Sequence, residues 1–113
     1  MAAVYVNNLV VNTGSTFQQT FNLESTDNNS ALNLSGYTVN SQMRKWAGAS
    51  SATDFVASIP TPLEGKILLE LTSTTTTGLK AGRYVYDIII TKGGVTERVV
   101  EGNVLVREGV TRS

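Results

Sequence analysis

The side chains of this sequence that could act as nucleophile, base or ligand are hydroxyls, carboxylates and amines, because it contains neither histidine nor cysteine. The missing imidazole removes the commonest general base and metal ligand. A Ser or Thr nucleophile would therefore need a lysine or an N-terminal amine as its base. Nothing like Ser-x-x-Lys stands in a suitable setting, and Lys45, Lys66, Lys80 and Lys92 fall near strand ends or turns, where a solvated lysine is the ordinary outcome. The 9 acidic residues are scattered. Glu24, Asp27, Asn28 and Asn29 offer oxygens for a weak Ca²⁺ site, but EF-hand spacing is missing and an Asx-rich run is first of all a turn. Gly93-Gly94 and the other glycines match no phosphate-cradling motif. The sequence thus predicts no catalytic residue, no metal and no cofactor: the protein is expected to act by binding.

Composition narrows the partners. With 9 basic and 9 acidic residues the formal charge is zero, so no basic excess exists to neutralise phosphates and no nucleic-acid partner is expected. A near-neutral surface also resists self-association weakly. The longest apolar run, Ile88-Ile89-Ile90, is far too short to cross a bilayer, and Met1-Ala2-Ala3 leads into Val4-Tyr5-Val6 without a signal pattern. No membrane is expected, and synthesis in a cytoplasm is. A chain of 113 residues fits one domain, 1–113, with 108–113 as a flexible tail. Without cysteine, no disulfide supports it.

The elements that must position any binding surface are strands, since two-residue alternation dominates and helical periodicity is nearly absent. Val4 to Val11 forms a strand interrupted at Asn7-Asn8. Thr16 to Leu23 follows, with Phe17, Gln19, Phe21 and Leu23 on one face. The run Ser25-Thr26-Asp27-Asn28-Asn29-Ser30 is a turn. Tyr37 to Trp46 turns Val39, Ser41 and Met43 inward. Asp54 to Ile59 is a short strand that Pro60 and Pro62 confine to an edge or a bend. Lys66 to Thr72 buries Ile67, Leu69 and Leu71. Ser73 to Leu79 is a loop with at most one helical turn, because β-branched Thr disfavours a longer one; Leu79 plugs the end of the sandwich. Arg83 to Lys92 puts Tyr84, Tyr86, Ile88 and Ile90 on one face. Lys92-Gly93-Gly94 is a hairpin turn, and Val95 to Arg107 returns antiparallel with Val100, Gly102, Val104 and Val106 on one face. About seven short strands with regular turns predict an all-β, immunoglobulin-like sandwich.

The local feature that supports this fold is Gly82-Arg83-Tyr84-Val85-Tyr86. A tyrosine corner places a Tyr near the start of a late strand and bonds its hydroxyl to backbone a few residues upstream. Gly82 permits the tight turn, Tyr84 is the corner residue, and Tyr86 takes the core position where antibody domains carry a cysteine. Beyond the corner, several apolar residues fall opposite the core face: Val85 and Ile89 on one strand, Val99 and Leu105 on its neighbour, and Leu68. A solvated outer face alternates more strictly, so these residues form a candidate interface that a partner covers, or that the loops or Val4 to Leu9 fold over. Trp46 joins them as a possible anchor; the alternative is that it covers the edge of the core.

The order of these segments resembles a phage family. Gly36 to Val39 (Gly-Tyr-Thr-Val), Gly65-Lys66, Ala81 to Asp87 (Ala-Gly-Arg-Tyr-Val-Tyr-Asp), Glu101 to Val106 (Glu-Gly-x-Val-x-Val) and Val110 to Arg112 follow one another as in the N-terminal immunoglobulin-like domain of lactococcal-type baseplate upper proteins and related virion proteins of tailed bacteriophages. The resemblance implies a structural protein of the virion, in tail, baseplate or neck, whose partners are other virion proteins in multiple copies. Those proteins continue into a fibre-like or partner-binding region, whereas this chain ends at Ser113, which favours an adaptor over a fibre anchor. A capsid decoration protein of the same fold is the alternative, and a carbohydrate-binding or adhesion sandwich a further one. The family carries no active-site residues.

Overall fold

A computed structural model describes residues 5–24 and 30–110. The turn expected over Ser25 to Ser30 lies mostly outside them, as do Asp27, Asn28 and Asn29 of the Ca²⁺ reading, Val4 and the end of the tail. The strands are β1 (Tyr5–Val6), β2 (Leu9–Asn12), β3 (Phe17–Asn22), β4 (Thr38–Arg44), β5 (Thr53–Asp54), β6 (Val56–Ser58), β7 (Lys66–Leu71), β8 (Gly82–Lys92) and β9 (Val95–Arg107). A 3₁₀ turn covers Pro62–Glu64, and one short helix, α1, covers Ser73–Thr77.

Two sheets pack face to face, as the alternation predicted. The larger runs β1-β9-β8-β4-β5, with β2 also on β9; the smaller runs β3-β7-β6. Alternation makes each strand two-faced, so Met43, Tyr86, Ile88, Ile90, Val100 and Val104 from one sheet meet Phe21, Ile67, Leu69 and Leu71 from the other. Each such buried side chain stabilises the fold by about 1.5–3 kcal/mol relative to exposure.

Three features lie beyond simple alternation. First, β1 and β2 run parallel to β9, with Tyr5 opposite Val100 and Leu9 to Asn12 opposite Val104 to Arg107. The Asn7-Asn8 interruption is where this edge strand breaks in two. Second, the chain changes sheets at Phe55: β5 pairs with β4 and β6 with β7. The Phe55 N–H donates to the Ser41 carbonyl at 3.0 Å, and its ring sits 5.9 Å from Phe17 and 6.0 Å from Tyr86. Third, β9 carries a bulge. Ile88 pairs with Val100 but Ile89 pairs with Arg98, so Val99 is the extra residue and the facing reverses there. Val99 and Val100 are both fully buried. The expectation that Val99 faces outward is thus corrected.

Helix α1 is the single turn allowed for. Thr72 caps it, its hydroxyl accepting from the Thr75 N–H at 3.2 Å. Thr76 is buried and its hydroxyl donates to the Ser15 carbonyl at 2.8 Å, so the helix fastens the β2–β3 turn. Leu79 packs on the core beside it. In the C-terminal segment, the Gly109 N–H donates to the Thr13 hydroxyl at 3.1 Å.

Candidate functional site: the outer face of the large sheet

The corner is built as expected. Gly82 adopts φ +142, a conformation side-chain-bearing residues rarely take, and the Tyr84 hydroxyl donates to the Lys80 carbonyl at 2.8 Å. The Lys45 ammonium lies 4.9 Å from the Tyr84 ring centre, a cation–π contact that closes the corner from the β4 side. Tyr86 is buried, and its hydroxyl donates to the Asn7 carbonyl at 2.6 Å. Burial pushes this phenol far above its ordinary range. These three residues position strands; Tyr86 also lines the groove on the outer face, and Tyr84 a second, smaller one shared with Trp46 and Lys80.

Asn7, which the sequence marks only as an interruption of the first strand, joins three strands. Its carbonyl receives Tyr86, and its N–H donates to the Glu101 carbonyl at 3.0 Å. Beside it, the Asn8 side-chain carbonyl accepts from the Asn103 N–H at 3.0 Å. Gly102 makes room for this junction: a Cβ there would overlap the Asn7 carbonyl oxygen and stand 2.9 Å from its carbon. A lone glycine inside an otherwise clean strand is the available signal for such a close backbone approach.

The candidate interface residues separate into groups. Val85, Ile89 and Leu105 do project from the outer face of the large sheet, Val85 and Ile89 half-buried and Leu105 exposed. Trp46 also opens onto this side and is 62% exposed, so it does not cover the core edge. Its position is set by a turn in which the Ala49 N–H donates to the Trp46 carbonyl at 2.9 Å, while Arg44 Nη1 donates to the Ala49 carbonyl at 2.6 Å. Leu68 is half-buried on β7, in the other sheet, and Val99 is core. The structure does not gather all six into one patch.

What the outer face holds is mixed. Val10 lies opposite Leu105, and both are exposed, as is Val6; neither valine was singled out in advance, though both fall out of phase with the buried residues of their strands. Between Val85 and Ile89 comes Asp87, which binds Arg98 at 3.3 Å, while Arg98 also reaches Glu101 at 3.6 Å. A groove of about 720 Å³ crosses this face, bordered by Val6, Gln42, Arg44, Trp46, Val85 and Arg98. Apolar spots separated by an ion-pair row are the mixture found in non-obligate protein interfaces. Among the described residues no group of three or more Asp or Glu side chains converges to hold a metal, and no helix is long and apolar enough to cross a membrane.

No protein-family model and no curated protein matches this sequence. Solved structures do match its shape. The crystal structure of Listeria monocytogenes InlP is similar over 89% of this chain, with a TM-score of 0.50 and 14% identity; the chain spans 26% of that protein. The N-terminal domain of phage TP901-1 ORF48 is similar over 93% of this chain and 97% of its own length, with a TM-score of 0.54 and 12% identity. At these identities what is shared is the fold, and in the second case the match spans 97% of a phage protein's N-terminal domain.

Proposed function

We propose that this chain is a structural protein of a tailed-bacteriophage virion, an assembly domain of tail, baseplate or neck that works by binding other virion proteins in multiple copies and catalyses no reaction. The observation that carries the reading is the end-to-end likeness to the ORF48 N-terminal domain, a match that covers 93% of this chain and 97% of the other. The motif order from Gly36 to Arg112 supports it from the sequence side. The outer face of the large sheet is the docking surface in this reading, with Trp46, Val85 and the Val10–Leu105 pair as its anchors. The absence of histidine and cysteine from the whole chain supports a binding role, because hydroxyls without a base are poor nucleophiles.

The test is mass spectrometry of purified particles of the phage or prophage that encodes the chain. It should be present in multiple copies per particle, and its absence from particles refutes the reading. Immunogold labelling then separates locations: label on the tail or neck supports the adaptor role, and label over the head makes it a capsid decoration protein instead.

A further inference from the structure

The chain carries no charged residue before Glu24. That stretch supplies β1, β2 and β3, and therefore the outer edge strand of both sheets on one side of the sandwich. Open edges invite pairing with other chains, and proteins usually blunt them with charge, proline, bulges or brevity. The opposite side is treated in that way. There β5 spans two residues and carries Asp54, β6 spans three, and Pro60 and Pro62 follow. On the uncharged side β1 and β2 are protected by their break at Asn7-Asn8. Strand β3 has no such device: Phe17–Asn22 is continuous, with no charge, proline or glycine.

The register of β3 shows which of its backbone groups point away from β7. Leu23 lies opposite Gly65 in the continued ladder and its N–H donates to the Gly65 carbonyl at 2.8 Å. Antiparallel pairs alternate, so Phe17, Gln19 and Phe21 also direct their backbone groups to β7. Gln18, Thr20 and Asn22 direct theirs away, toward the side on which no described strand lies. Among the described residues, the Thr20 carbonyl alone of these groups has a local donor, the Gln19 side-chain amide at 3.5 Å.

We propose that β3 is the edge at which two copies of this chain pair antiparallel about a two-fold axis through Thr20. This register is self-complementary. Thr20 faces Thr20 of the second copy, and Gln18 faces Asn22, so every outward N–H meets an outward carbonyl. On the solvent face the opposed side chains are Thr with Thr and amide with amide, pairs that favour cross-strand contact. Charge agrees as well. On β7 Glu70 stands beside Gln18, Leu68 beside Thr20 and Lys66 beside Asn22. The two-fold therefore aligns Glu70 of one copy in a row with Lys66 of the other, and Leu68 with Leu68 across the centre. A parallel pairing would align like charges. The result is a continuous sheet β6-β7-β3-β3-β7-β6, an isologous interface. It stands whether or not the chain is found in particles.

Sedimentation equilibrium of the full chain, with hydrogen exchange read at single amides, tests this. The parent chain should dimerise, and the amides of Gln18, Thr20 and Asn22 should gain protection with rising concentration while those of β5 and β6 do not. Two double variants probe the register: Gln18→Lys with Asn22→Lys, and Gln18→Glu with Asn22→Glu. Each alone opposes like charges across the axis and should raise the dissociation constant roughly tenfold or more; far-UV circular dichroism checks that each is folded. Mixed in equal amounts, the two should restore a heterodimer. A parent chain still monomeric at about 1 mM, a dimer indifferent to both double variants, or a mixture that fails to associate overturns the proposal.

Discussion

Replacing Gly102 with alanine should cost far more than its single methyl suggests. Gly102 does not take a positive φ, so any cost must arise from contact and not from backbone conformation. The new Cβ would overlap the Asn7 carbonyl oxygen and lie 2.9 Å from the Asn7 carbon. Carbon atoms pack comfortably at no less than about 3.5 Å, so the β1–β2 junction must recede by at least about 0.6 Å. That displacement falls on the 2.6 Å bond from the Tyr86 hydroxyl. Overpacking of this kind costs about 1–3 kcal/mol, and the weakened bond of a buried hydroxyl about 1 kcal/mol more. Alanine's better strand propensity returns about 0.5 kcal/mol, leaving about 1.5–3.5 kcal/mol. Urea unfolding followed by far-UV circular dichroism measures it. The decisive arm is a double-mutant cycle: in a Tyr86→Phe background the cost of Gly102→Ala should fall by about 1 kcal/mol, because the bond it strains is already gone. A Gly102→Ala variant within about 0.5 kcal/mol of the parent, or one strictly additive with Tyr86→Phe, refutes the reasoning.

Other perturbations separate structure from binding. Tyr84→Phe removes the corner bond to Lys80 and should lower the urea-derived stability by about 1 kcal/mol without loss of fold. Leu105→Asp should leave stability nearly unchanged, since Leu105 is 40% exposed, while reducing incorporation into particles; Val99→Asp on the same strand should prevent folding, because it buries an unpaired carboxylate. Unchanged incorporation of a folded Leu105→Asp chain would remove Leu105 from the docking surface. For pH, the folded Tyr86 phenol titrates above its unfolded value, so its contribution to stability is fully present below about pH 10 and is lost as pH rises beyond it. Stability against pH should therefore fall on the alkaline side, and Tyr86→Phe should flatten that fall.

The sequence was informative where local chemistry decides structure. Strict alternation marks β3, β4, β7 and β8 and their inward residues, and Gly82 with Tyr84 marks the corner down to its hydroxyl bond. It was silent where a distant partner decides. Nothing local says that Tyr5 to Asn12 pairs parallel with β9, or that Phe55 is the point where the chain crosses between sheets, since both follow from which neighbour is adjacent in space. The error at Val99 has the same origin. Alternation counted from Val100 places it outward, but a bulge shifts the count by one. The adjacent apolar pair Val99-Val100 was the available hint. The candidate surface was half legible, because the outward facing of Leu105 and Val85 follows from phase, whereas the separation of Leu68 onto the other sheet requires the topology.

The parallel pairing of β2 with β9 also determines how the domain would carry load. Tyr5 lies level with Val100 at one end of this pair, and Arg107 lies level with Asn12 at the other. Tension applied between the beginning of β1 and the end of β9 pulls the two strands along their length in opposite directions. The Leu9 to Asn12 ladder is then loaded in shear, with its bonds sharing the force at once, where an antiparallel arrangement would let them peel open singly. The Tyr86–Asn7 bond and the Gly102 approach sit at the near end of that ladder and act as its stop. A protein strung between two larger bodies through its two ends would yield abruptly and at high force, a behaviour that pulling single molecules from these two points can measure directly.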